Sequence, residues 1–134
     1  CLLQCTASYP TPPEEMNLRV ISTLREQFPD VVIGLSDHYN GIAMAVAAYI
    51  FGARVIEKHF TLNHTWKGTD HALSLEPIGM QKMIRDLRRT RIAMGDGVKS
   101  IYPSEAPAMV KSPHDLLSHR PTRPMAKIGH SILL

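Results

Sequence analysis

Two histidines each stand at the end of a short apolar run, and each follows a polar side chain two positions earlier. Ser36 precedes His38 in the first run, and Glu57 precedes His59 in the second. Side chains alternate along a strand, so each histidine shares a face with its polar companion. On adjacent parallel strands, about 4.8 Å apart, the two imidazoles would lie at equal height. Two imidazoles so placed can bind one metal ion, because neutral imidazole is a common metal ligand.

The polar companions have chemistry of their own. Glu57 would lie deeper than His59, where it could orient that ligand or carry a proton. Ser36 could donate a hydrogen bond to an anionic group of a substrate. A histidine at a strand end is more often solvated or hydrogen-bonded, and that alternative stays open for each one alone. The repetition at equal strand height makes a metal site a stronger candidate for the pair than for either histidine alone, and both interpretations of the pair stay open.

Other candidate groups have weaker patterns. Five further histidines are predicted to be loop residues without a ligand role: His64, His71, His114, His119 and His130. Cys5 is predicted to be a small buried residue, because no activating base accompanies it in the sequence. The loop from Asn63 to Ser74 holds Lys67 and Asp70 beside an aromatic residue. That mixture suits a hydroxylated substrate, with Asp70 accepting from sugar hydroxyls and Lys67 facing an anion.

Three strand and helix pairs must position these groups. The strands are predicted over Leu2–Thr6, Val31–Leu35 and Arg54–Ile56. Helices are predicted for about fifteen residues before Pro29, for about 42–51 and for about 76–94. Strands this apolar have no wet face, which indicates an α/β class with a parallel sheet and right-handed crossovers. Periodicity alone does not separate a piece of an open doubly wound sheet from a piece of a (β/α)8 barrel.

The chain of 134 residues is predicted to divide at residue 102. Residues 1–102 would form the α/β part, and residues 103–134 would form an extended, proline-rich tail with too few apolar residues for a second core. The start lacks an initiator methionine and a charged leader, so a cut chain is expected rather than a signal peptide.

The charge, the apolar runs and the cysteine content of the sequence indicate which partners and which compartment to expect. The formal net charge is +3, and much of the excess comes from the predicted last helix. We interpret that helix as having a solvated basic face, and we expect no nucleic-acid partner because no aromatic platform accompanies the charges. The longest apolar run is too short to cross a bilayer, so no membrane span is expected. Two cysteines without a disulfide framework suit a reducing cytoplasm.

Four segments together resemble a known enzyme family. LLQCTASYPTPPEEMNLRVI, IGLSDHYNG, VIEKHFTLN and TWKGTDHALSLEP are similar to the sialic acid synthase (N-acetylneuraminate synthase) family. This family includes synthases of legionaminic and pseudaminic acids and a spore-coat polysaccharide protein. The likeness runs from about Leu2 to Glu105 and covers only the last three βα units of that family's (β/α)8 barrel.

The resemblance implies a phosphoenolpyruvate-dependent transferase of sialic acid biosynthesis that forms a carbon–carbon bond. Its second substrate would be N-acetylmannosamine, the 6-phosphate of that sugar, or an analogue. The resemblance also implies a divalent metal, Mn²⁺ or Mg²⁺, bound by His38 and His59. Ser36 would contact the phosphate of phosphoenolpyruvate, and Glu57 would lie beside the enolpyruvate.

The remaining site residues follow from the same segments. Asp70 and Tyr9 would lie near the amino sugar, and Thr6 is a further candidate for substrate binding. Ala7 stands where some members have an asparagine that touches phosphate and sugar. Family members are expected to be homodimers in which a small antifreeze-like domain follows the barrel, but the tail here does not resemble that domain.

The isolated chain is expected to give no turnover, because the first five strands of the family barrel supply part of the phosphate site. The alternative to a synthase fragment is a non-catalytic half-barrel that self-associates or complements a separate half, since unpaired edge strands invite such pairing.

Overall fold

A computed structural model describes residues 1–111 of the chain, with only the backbone described for 109–111. One parallel sheet has the strand order β1-β2-β3. The strands are β1 (Leu2–Cys5), β2 (Ile33–Asp37) and β3 (Val55–Lys58). They alternate with the helices α1 (Val20–Gln27), α2 (Ala43–Ile50) and α3 (Pro77–Ala93). The prediction of an α/β class with three consecutive parallel βα units is confirmed.

The register of the sheet aligns the polar residues at its carboxyl edge. Cys5 on β1 is paired with Ser36 on β2, and Ser36 is paired with Glu57 on β3. His38 and His59 each lie two residues further along. Because side-chain direction repeats every second residue, these groups share one face of the sheet.

The helices cover the opposite face. Ile33 and Leu35 of β2 are buried and pack with Ile21 of α1 and Ala48 of α2. A second apolar cluster joins α2 to α3 through residues that include Met83. All five residues of β2 are buried, so neither face of the middle strand is exposed to solvent. This packing fixes β2 as the central support of the carboxyl edge.

The first helix is shorter than the sequence predicts. A single 3-10 turn over Pro13–Glu15 precedes it, and Asn17 has a left-handed φ of 41°. A residue in that conformation cannot continue a right-handed helix, so α1 begins only at Val20. Phe28 follows the last turn of α1, and its side chain is exposed. Gly52 follows α2 and has a positive φ of 106°, a conformation in which glycine commonly ends a helix.

Two further predictions are corrected. Cys5 is exposed rather than buried, because among the described residues β1 has β2 as its only strand neighbour. Residues Pro103–Glu105 form a 3-10 turn and Ala106–Lys111 a helix, α4, where an extended tail is predicted. The Glu105 side chain accepts from the Tyr102 backbone N–H at 2.9 Å, which caps this turn. The rest of the predicted tail, with His114, His119 and His130, lies outside the described residues.

The described part of the chain divides into two units, Cys1–Asp96 and a segment that begins at Gly97. All the strands and the site described below belong to the first unit. The five basic residues of α3 are exposed: Lys82, Arg85, Arg88, Arg89 and Arg91. Among residues 1–111, none of the helices is both long enough and apolar enough to span a membrane.

Candidate metal and substrate site

His38 and His59 lie side by side at the carboxyl edge of the sheet. Their ring centroids are 5.2 Å apart and their planes meet at 83°. The register explains this closeness, because each ring follows a residue of the paired couple Ser36 and Glu57 by two positions. The structure therefore brings together the two histidines that the sequence places on one face.

Ser36 connects the two strands below the imidazoles. Its buried hydroxyl donates to Glu57 Oε1 at 2.6 Å, and its oxygen lies 3.1 Å from His38 Nε2. An ionised carboxylate can only accept, so the single hydroxyl proton goes to Glu57. The bond to His38 is then donated by Nε2–H. In this tautomer the lone pair of the imidazole is on Nδ1.

His38 Nδ1 is buried and has no hydrogen-bond partner in the described part of the chain. Burial lowers the pKa of His38, and the nearby His59 lowers it further. The ring is thus held in the neutral form, which is the form that binds a metal. A buried ring nitrogen with an unused lone pair is the kind of group that a cation would satisfy.

The spacing of the two rings fits a shared ion. With metal–nitrogen bonds of about 2.1 Å, two imidazoles on one ion have centroids roughly 5 Å apart. Among residues 1–111, no cluster of three or more His, Cys, Asp or Glu side chains could hold a metal. The described residues would give an ion here two ligands, which leaves further positions for water or substrate, as catalytic metals require.

Tyr9 covers both imidazoles. Its ring centroid is 4.3 Å from that of His38 and 5.5 Å from that of His59, and its hydroxyl lies 3.5 Å from His38 Nε2. Cys5 Sγ is 3.7 Å from the same nitrogen. The thiol therefore has an imidazole neighbour that its position in the sequence does not suggest.

Thr11 holds the Tyr9 loop in place, a role that the sequence reasoning missed. It is buried, and its backbone N–H donates to the His38 carbonyl at 3.0 Å. Its hydroxyl lies 3.0 Å from the Thr6 carbonyl and 2.9 Å from the Ser8 carbonyl. A threonine inside a proline-rich turn is a weak signal for such an anchor, because the partner strand is distant in sequence.

The loop after β3 returns to the strand and places Asp70 beside His59. Phe60 forms a parallel bridge with Leu75, and the Leu75 N–H donates to the His59 carbonyl at 2.8 Å. Asp70 Oδ2 is 3.8 Å from His59 Nδ1, and its side chain is about half exposed. The carboxylate is therefore free to accept from a ligand while remaining near the histidine pair.

His71 is a second residue that the sequence reasoning missed. It is predicted as a loop residue, but it begins a 3-10 turn over His71–Leu73 and lines an open cavity of about 330 Å³ together with His59, Asp70 and Ser74. Its Nδ1 is 2.8 Å from Thr61 Oγ1, and Trp66 meets its ring edge-on at 5.7 Å between centroids. The Asp70-His71 pair repeats the Asp37-His38 order at the end of β2, and this repetition is a sequence signal that could have indicated His71.

Gly68→Ala is expected to displace the His71 ring. A Cβ on residue 68 would lie 2.8 Å from His71 Cδ2, and its φ of 154° disfavours an L residue. We expect shifted His71 ring resonances in NMR spectra and a loss of roughly 1 kcal/mol in unfolding free energy. Unchanged His71 resonances in Gly68→Ala would contradict the packing described for this loop.

The two remaining predicted residues lie apart from this cluster. Thr6 follows Cys5 on the opposite face, and its hydroxyl donates to the Glu15 carbonyl at 2.9 Å. Lys67 is exposed and does not line the cavity. Their substrate-binding roles stay predictions.

The fold and this edge define an α/β protein whose polar groups gather where parallel strands end, the usual ligand position of such sheets. The NeuB family model matches residues 1–99, and the chain belongs to the NeuB family.

Named relatives agree with this assignment. The chain is 50% identical over 105 residues to human N-acetylneuraminate-9-phosphate synthase, an alignment that covers 78% of this chain and 29% of that protein. It is 44% identical over 104 residues to N,N'-diacetyllegionaminic acid synthase of Campylobacter jejuni, covering 78% and 31% of the two chains. The chain thus spans less than a third of either relative.

A solved structure has the same fold. The N-acetylneuraminic acid (sialic acid) synthetase of Leptospira borgpetersenii serovar Hardjo-bovis, in complex with citrate, superposes with a TM-score of 0.68 at 34% identity. The match covers 84% of this chain and 39% of the solved chain.

Proposed function

We propose that this chain is part of a metal-dependent synthase that condenses phosphoenolpyruvate with N-acetylmannosamine, its 6-phosphate or an analogue. The product would be a nine-carbon keto-sugar acid of the sialic acid type, and phosphate would be released. The observation that carries the proposal is the pair His38 and His59 above the Ser36–Glu57 hydrogen bond. The names of the relatives support the substrate class.

His38 and His59 would hold the ion, Mn²⁺ or Mg²⁺. Bound there, it would supply Lewis-acid polarisation of the sugar aldehyde. Tyr9 packs against both imidazoles and would limit their movement and their exposure to water. Asp70 lies close to His59, so the Asp70 carboxylate could accept hydrogen bonds from the hydroxyl groups of a sugar bound at the same edge.

The reaction requires one new carbon–carbon bond and the loss of phosphate. C3 of phosphoenolpyruvate attacks the aldehyde carbon, water adds to C2, and the C2–O–phosphate bond breaks to leave a ketone. Ser36 can turn its hydroxyl from Glu57 to a phosphate oxygen, because both acceptors would lie on the same face. Glu57, once released, is positioned to accept the proton of the water that adds.

The three βα units would be the carboxyl-terminal part of a (β/α)8 barrel. The similarity to the Leptospira structure supports this placement. The face that carries the site is open here, since Glu57, Cys5 and Tyr9 are all exposed. Further strands of a barrel would cover that face. A cytoplasmic location and a homodimer for the complete protein stay predictions; the free thiols of Cys1 and Cys5 suit a reducing compartment.

Titration of the chain with Mn²⁺, followed by electron paramagnetic resonance, tests the proposal. Saturable binding near one equivalent is expected, and phosphoenolpyruvate should change the spectrum of bound Mn²⁺ more than inorganic phosphate does. Circular dichroism of the same samples reports folding. A folded chain that binds no Mn²⁺ would refute the metal site.

The 134-residue chain alone is expected to release no phosphate from phosphoenolpyruvate and N-acetylmannosamine. The reason is that the chain spans 29% of the human relative, and its site face is open. A colorimetric phosphate assay with Mn²⁺ checks this, and measurable turnover would contradict it. Sedimentation of the same sample addresses the alternative function, because a stable stoichiometric dimer would favour a self-associating half-barrel.

A further inference from the structure

A buried ion pair lies directly behind the two histidines. Lys58 Nζ is 3.0 Å from Asp37 Oδ2, and the two side chains are 2% and 0% exposed. The pair joins the ends of β2 and β3 on the helix-facing side of the sheet, opposite the face that carries the imidazoles. Asp37 immediately precedes His38 in the chain, and Lys58 immediately precedes His59.

Lys58 also holds the backbone on both sides of His38. Its ammonium donates to the Tyr39 carbonyl at 2.5 Å and lies 3.4 Å from the Asp37 carbonyl. The other oxygen of the Asp37 carboxylate accepts from the Tyr39 N–H at 2.9 Å. One side chain from β3 therefore fixes the peptide groups that carry His38, while its own backbone carries His59.

A contribution to folding stability does not by itself explain this buried ion pair. A buried ion pair loses much of its Coulombic gain to desolvation, and apolar replacements of similar volume are often neutral or stabilising. Beyond its own burial, the pair holds the backbone around His38 in one position. The three N–H groups of the Lys58 ammonium have acceptors on Asp37 and Tyr39, which flank His38 in the chain. Ligand orientation by neighbouring hydrogen bonds commonly tunes a metal site.

We propose that Asp37 and Lys58 are positioning residues that set the separation of His38 and His59 for a shared divalent cation. The inference rests on the proposed metal site. It adds that the affinity of this site depends on a pair that touches neither the ion nor the substrate. Loss of the pair should let the loop after β2 relax, and the two rings should move apart.

The experiment compares the chain with the double variant Asp37→Asn/Lys58→Met. Lys58→Met alone would leave a buried carboxylate without its cation and could prevent folding. In the double variant, the new amide oxygen at position 37 can still accept from the Tyr39 N–H, and methionine fills most of the lysine volume. Asp86→Asn is the matched control, because it removes the acid from the exposed Arg85–Asp86 pair, which is 2.8 Å long.

Two readouts separate positioning from folding. The first is the nuclear Overhauser effect between the His38 and His59 rings without metal, which should weaken or vanish in the double variant. The second is Mn²⁺ affinity, which should fall at least about tenfold while circular dichroism stays native-like. Asp86→Asn should match the unchanged chain in both.

A folded double variant that keeps the ring contact and binds Mn²⁺ within about twofold of the unchanged chain would overturn the inference. If the unchanged chain binds no Mn²⁺, the proposed metal site fails, yet the ring contact in the metal-free protein still tests the positioning role. The two failures are thus distinguishable.

Discussion

His38→Ala is expected to reduce Mn²⁺ affinity by at least about 100-fold, which removes saturable binding in the accessible range. The loss of affinity should be this large because the described site has only two imidazoles at the strand ends. Removal of one leaves the ion with a single protein ligand there. His59→Ala should behave in the same way. Electron paramagnetic resonance of free and bound Mn²⁺ measures the effect, with circular dichroism to confirm that each variant is folded.

His64→Ala is the matched control for these substitutions. His64 lies on the same loop as Asp70, but its Nε2 bonds the Ser74 carbonyl at 2.6 Å and it is not part of the histidine pair. Its loss should leave Mn²⁺ affinity within about twofold of the unchanged chain. Equal binding by folded His38→Ala and by the unchanged chain would mean that any cation binds elsewhere.

Gly34→Val is expected to destabilise the chain by about 3 kcal/mol or more, the largest stability effect that we foresee. Gly34 lies in β2, and a Cβ there would lie 2.6 Å from Leu3 Cδ2, 2.9 Å from Val55 Cβ and closer still to the Val55 carbonyl oxygen. That carbonyl belongs to the backbone of the adjacent strand. It can yield only if β2 and β3 separate. Urea unfolding followed by circular dichroism gives the free energy.

Gly79→Ala provides the comparison. A Cβ on Gly79 would meet the flexible end of Leu75 at 3.2 Å, and alanine favours the helix in which Gly79 lies. Its unfolding free energy should stay within about 1 kcal/mol of the unchanged chain. If Gly34→Val unfolds at the same urea concentration as Gly79→Ala, the tight approach of the three strands is not as described.

The sheet and its polar edge could be predicted because both depend on local alternation. Ser36 and His38 share a face in any extended backbone, and pairing of Ser36 with Glu57 then brings His59 beside His38. The close approach of the neighbouring strands at Gly34 can also be inferred from the sequence, since a glycine within an apolar strand often marks close backbone approach.

The rest depends on contacts between distant residues. Asn17 adopts a left-handed conformation that shortens α1, and asparagine is only one of several residues that do so. His71 enters the cavity because Leu75 pairs with Phe60 and turns the loop back along β3. Lys58 follows a glutamate and precedes a histidine, so its sequence gives no indication that its ammonium is buried against Asp37.

Each of the paired histidines offers its own carbonyl to an amide from a distant loop. The His38 carbonyl accepts from Thr11, and the His59 carbonyl accepts from Leu75. Exchange of those two amide protons with deuterium requires these hydrogen bonds to break, which happens when the corresponding loop detaches from its strand. The chain therefore contains two backbone reporters, one for each imidazole, that record how often this edge opens without any label or substitution.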